Sequence, residues 1–159
     1  MFARLIEQIG GVLSAPVSET DPDYRDGAIR KATAVLMIDV ARADNTFDPS
    51  EFDRVLQLVQ EHFHLTPEEA ALLVNSADEQ AQDLTSLHDF TQLLHRHLDE
   101  AEKARIVSFL WQVAYADGRL DMFEDSLVLK ISDLLHVSRG RVMRLKHDAA
   151  GDGEDDEQD

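Results

Sequence analysis

Two stretches decide the fold: VLMIDVARADNTFDPSE at 35–51 and SFLWQVAYADGRLDMFE at 108–124. They align at a constant offset of 73 residues. Ala41, Ala43, Asp44, Asp48 and Glu51 of the first recur as Ala114, Ala116, Asp117, Asp121 and Glu124 of the second. Each stretch begins as an apolar run without strand alternation, passes through an acidic turn and enters an amphipathic segment. Further on, HFHLTPEE (62–69) pairs with LLHVSRGR (134–141) after one deletion. A duplicated helix–acidic turn–helix–helix unit predicts an all-α bundle. About seven to eight helices are expected, in two halves related by a pseudo-two-fold axis.

The flanking pattern stays helical. Ile29 to Ala43 is apolar almost all round, as a central buried helix requires. Two such helices, 26–43 and 100–116, are expected side by side. Phe52, Val55, Leu56, Val59 and Phe63 form the stripe of the next helix. Thr66-Pro-Glu-Glu is a capping box with proline at the first helical position, opening a helix to about Ala77. Leu87, Phe90, Leu94 and Leu98 give another, and Phe123, Leu127, Val128, Ile131 and Leu135 one more. Ser138 is expected to cap a short last helix ending near His147. The chain thus divides into an amphipathic N-terminal helix (1–15), a linker (16–24), a helical domain (25–148) and a disordered acidic tail (149–159).

Composition removes whole classes of chemistry. The 159 residues are 43% hydrophobic, enough for one domain with a real core. There is no cysteine, which excludes disulfides, thiolate catalysis and iron–sulfur clusters. The net charge of −17 repels phosphate backbones and anionic lipid, so nucleic acid is not an expected partner. Cations and a basic protein partner of unknown identity fit better. No run reaches the roughly eighteen apolar residues of a transmembrane segment, and a cytoplasmic location is expected. Residues 1–15 carry one basic residue, Arg4, so packing on the domain is preferred over contact with a membrane surface.

The acidic turns have two readings. Asp48-Pro-Ser-Glu51 and Asp121-Met-Phe-Glu124 are helix starts: Asp at the N-cap, Glu three residues on. Asn45 and Gly118 suit the left-handed position that stops the preceding helix. Helix punctuation leaves only Asp44 and Asp117 unexplained. The second reading is a divalent cation, calcium or magnesium. Neither turn is an EF-hand, because Val40 and Arg42, or Val113 and Tyr115, stand where ligands are needed. Two turns brought together would offer Asp44, Asp48, Glu51, Asp117, Asp121 and Glu124. Two like charges about 4 Å apart cost about 4 kcal/mol at an effective dielectric of 20, which a cation, a basic partner or water would offset. Asp39 joins the candidates because it interrupts an apolar run. Its repeat mate, Gln112, keeps a polar oxygen there. The plainer role for Asp39 is pairing with Arg42 or with the backbone.

In these turns the chain resembles the TerB (tellurite resistance protein B) family. Its mark is an apolar helix ending in A-x-A-D-G-x-[ILV]-x-x-x-E, found here as ARADNTFDPSE and AYADGRLDMFE over roughly 25–148. The same domain forms the N-terminal part of a membrane-anchored J-domain co-chaperone. The resemblance implies an all-α fold in two related halves, and an acidic surface tied to metal ions and to stress responses including tellurite. By position it implicates the six carboxylates of the turns. Asn45 departs from the family glycine but tolerates the turn. No H-P-D triplet is present, so co-chaperone activity is not implied.

Other chemistry finds little support. His62 and His64, like His95 and His97, are two apart and point to different helix faces. His88 and His95 share a face, but no H-E-x-x-H motif joins them. Ser108 and Ser126 lie mid-helix without a nucleophile elbow. No enzymatic activity is expected. Trp111 and Tyr115 read as core. Arg139, Arg141, Arg144 and Lys146 make the last helix basic, facing the acidic tail in charge.

Overall fold

A computed structural model describes residues 22–43, 48–81, 87–118 and 120–158. Residues 1–15 and most of the linker lie outside the described residues. Seven helices and no strand occur among those described: α1 (Pro22–Ala41), α2 (Pro49–His62), α3 (Pro67–Ala81), α4 (Leu87–His97), α5 (Glu100–Ala114), α6 (Met122–Leu134) and α7 (Arg139–Gln158).

The centre of the fold is α1 packed on α5. From Ala32 to Ile38 every α1 side chain is buried, Thr33 included. A helix with no polar face can only be surrounded. Thr33 resolves its own burial by donating its hydroxyl to the Ile29 carbonyl at 2.8 Å. In α5 the buried apolar set is Ala104, Ile106, Val107, Leu110, Trp111, Val113 and Ala114. The Trp111 indole N–H donates to the Val142 carbonyl at 3.2 Å, which satisfies the one polar atom of the core's largest side chain.

The expected pseudo-two-fold is visible in which helices touch. α1 packs on α2 and α3, as α5 packs on α6 and α7. α2 meets α3 as α6 meets α7, and α2 crosses to α5 as α6 crosses to α1. Local hydrogen bonds repeat as well. Ala43 N–H donates to Val40 O at 3.2 Å, and Ala116 N–H to Val113 O at 3.1 Å. After α2, His64 takes a left-handed φ of 58° and Leu65 N–H reaches back to Gln60 O at 3.0 Å. After α6, His136 takes φ 64° and Val137 N–H reaches Ser132 O at 3.1 Å. These are two copies of one Schellman stop, with histidine where glycine is usual.

Helix starts follow the sequence. Thr66 and Glu69 bond reciprocally across the start of α3, at 2.9 and 3.1 Å. Asp99 and Glu102 do the same for α5, at 2.9 and 2.8 Å. Helix α4 has no counterpart in the repeat and packs on α1 and α6.

Three boundaries differ from expectation: α1 starts at Pro22 rather than at 26, inside the segment assigned to the linker. α3 continues to Ala81, past Ala77, because Ala77 and Ala81 are both buried and extend its apolar stripe. α7 runs to Gln158 rather than stopping near His147, so its backbone takes in most of the segment assigned to a disordered tail. No proline intervenes there, and Gly151 does not adopt the left-handed φ that would end the helix.

Candidate functional site

Each acidic turn is built by a helix stop followed by a helix start. In the second copy the stop is Gly118, whose φ of 87° glycine alone adopts without strain. Gly118 N–H closes the turn on Tyr115 O at 2.9 Å. The start is Asp121, in extended conformation, whose carboxylate accepts from Phe123 N–H at 2.8 Å and Glu124 N–H at 3.4 Å. In the first copy Asp48 caps α2 in the same way, accepting from Ser50 N–H at 2.8 Å. The Ser50 hydroxyl bonds the same oxygen. That bond first, and the backbone bond second, hold the Asp48 carboxyl below the usual carboxylate range. Each cap aspartate therefore spends one oxygen on helix punctuation.

The glutamates three residues on do something punctuation does not ask of them. Glu51 is 2% exposed and Glu124 1%. Ordinary capping-box glutamates in this same chain stay accessible: Glu69 is half-buried and Glu102 exposed. Burying a carboxylate costs several kcal/mol unless hydrogen bonds or a positive charge compensate. The repeat buries a glutamate at this position in both copies. Asp117 stands on the exposed surface of the second turn, and Asp121 is half-buried. Asp44 lies outside the described residues.

Asp39 is in α1, half-buried. Desolvation pushes its pKa up to about 7, and the Arg42 charge offsets only part of that. The Arg42 guanidinium Nε donates instead to Asp78 Oδ1 on α3, at 2.8 Å. The repeat mate Gln112 donates to the Ser108 hydroxyl at 3.3 Å, so polarity at this site is kept in both copies by different means.

Among the described residues no three His, Asp or Glu side chains converge into a group able to hold a metal. The donor chemistry does suit a hard cation, since carboxylate oxygens are the ligands that calcium and magnesium prefer. A calcium cage needs about 6–8 oxygens, whereas magnesium keeps several waters and needs only one or two carboxylates. Each turn offers a buried glutamate three residues after a cap aspartate, too few carboxylates for a calcium cage.

The histidines separate. His88 is exposed, so it does not join His95 in a site. His95 packs against His136, ring centroids 4.3 Å apart. Its Nδ1 lies 3.0 Å from the Lys103 ammonium. Lys103 is 3% exposed and also pairs with Glu100 at 2.9 Å, which lowers the Glu100 pKa. Sequence reading missed this buried lysine; its one signal was its position among the buried residues of α5. His62 meets Phe63 and Phe109 edge-on, and burial, helped by the Arg105 charge, lowers its pKa. Two basic residues of α7 turn to α6: Lys146 pairs with Asp125 at 2.6 Å and Arg139 with Asp133 at 3.2 Å.

No described helix is long and apolar enough to cross a membrane. Comparison of the chain with curated proteins and with solved structures yields no match. The family described as tellurite resistance protein TerB matches residues 30–147, which takes in both repeats, both acidic turns and six of the seven helices in full or in large part. That span is most of the chain, and the protein belongs to the TerB family.

Proposed function

We propose that this chain is a non-enzymatic TerB module that takes up a hydrated divalent cation at its acidic turns, in a stress or tellurite-resistance type of response. The observation that carries the reading is the burial of Glu51 and Glu124 at equivalent repeat positions, each beside a cap aspartate. Asp48 or Asp121 would lend its spare oxygen, and in the second copy Asp117 would face the ion from the turn. Magnesium, or calcium held with several waters, is the chemistry that so few carboxylates support. The cation's part is to neutralise the turn and lock the junction of two helices.

Thermal unfolding in EDTA and then in millimolar magnesium or calcium tests this. A cation present at tenfold over its dissociation constant stabilises by about 1.4 kcal/mol. For a chain of this size that is a rise of about 3–5 °C in Tm. Glu51→Gln with Glu124→Gln should keep the helical circular dichroism and lose the rise. An identical melting curve in every divalent ion sinks the reading.

A second reading, a helical adaptor without a metal, is favoured by one observation. Met122 and Phe123, in the first turn of α6, are 76% and 63% exposed.

A further inference from the structure

Met122 and Phe123 occupy the first two positions of α6, directly after the Asp121 cap. The repeat supplies an internal control. At the same two positions of α2 stand Pro49 and Ser50, both exposed, and that helix starts on the same kind of cap. Folding therefore asks for no large apolar side chain here. Adjacent exposed apolar residues rimmed by polar ones mark contact surfaces.

The surroundings select the partner. Asp117 is exposed on the turn before the pair, and Asp121 and Asp125 flank it. Helix α7 follows α6 through a short turn and runs back along it, because Lys146 of α7 bonds Asp125 in the first turn of α6. Past Lys146, α7 continues to Gln158. The apolar pair thus stands beside the exposed Asp117 and the half-buried Asp121, on a chain with a net charge of −17. Methionine adapts its shape to different partners, and phenylalanine supplies rigid apolar area and a face for cations. A cationic amphipathic helix matches both features, apolar side against Met122 and Phe123, basic side against the carboxylates. Anionic membranes and nucleic acids are repelled by the same field.

We propose that Met122 and Phe123, with the carboxylates around them, are the docking point for a cationic amphipathic helix of a partner protein. This gives the adaptor reading its partner; Asp117 and Asp121 are shared with the cation reading, so the test is made with divalent ions removed.

The test uses the full chain in EDTA with two fluorescein-labelled peptides of equal charge. One places leucine and lysine on opposite faces of a helix; the other is oligolysine. Fluorescence anisotropy should show the amphipathic peptide binding at least about 10-fold more tightly than oligolysine. Met122→Ser with Phe123→Ser should bring it down to the oligolysine level without changing the melting curve in EDTA. Leu72→Ser, which removes another exposed leucine, should leave binding unchanged. Equal binding of the two peptides, or full binding by the double variant, overturns the proposal. So does tight binding of phosphatidylglycerol vesicles that the double variant loses, which would make the surface a membrane contact. Self-association of the wild type that the double variant abolishes would make it a dimer contact and overturns the proposal as well.

Discussion

At the residue scale, Asp39 has the clearest consequence. Burial raises its pKa from 3.8 to about 7 in the folded chain, so the folded state holds a proton that the unfolded state releases near pH 4. Between those values the native form binds more protons, and stability falls as pH rises. Above pH 7 the ionised carboxylate stays buried at a cost of a few kcal/mol. Asp39→Asn should therefore raise Tm at pH 8 by about 5 °C or more and bring little gain near pH 4, as read by circular dichroism melts across that range. An equal effect at both pH values would show that the carboxyl is not titrating in the fold. Asp39 was visible in the sequence as an interruption of an apolar run. Its protonation was not, because desolvation is set by α1's neighbours rather than by its own sequence. Glu51 and Glu124 teach the same lesson: the helix-start pattern was legible, and their burial was not.

At the element scale, starts were more legible than stops. Asp48, Thr66, Asp99 and Asp121 all cap helices through side chains that can do so only from a defined position. Asp48→Ala and Asp121→Ala should each cost about 0.5–2 kcal/mol of stability, measured by urea unfolding. The stops after α2 and α6 use His64 and His136 in left-handed conformation. No glycine announced them. His64→Gly, which removes the strain of a Cβ at φ 58°, should stabilise by about 1 kcal/mol. His136→Gly should gain less, because it also gives up the ring contact with His95. A loss of stability in the His64 variant would show that its side chain makes a contact worth more than the strain. Gly151 and Gly153 lower helix propensity, and acidic side chains near a helix C-terminus oppose its dipole.

At the scale of the whole molecule, the core ends before the acidic extension does. Among the described side chains the last one packed against the core is Ala149, and the family match ends at 147. Deleting residues 152–159 should leave Tm within about 2 °C of the full chain, since apolar burial carries folding stability. A larger loss would mean that the extension packs on the domain. Two halves, an all-α class and the position of both turns were determined by the sequence itself, because helical periodicity and end-capping are local and the repeat states them twice. The tertiary structure alone decided which carboxylates lie inside, which lysine is buried against a histidine, and which apolar pair is left facing water. Those properties depend on what a distant segment places nearby. The seating of α4, which has no repeat partner, was likewise decided by the space left between α1 and α6.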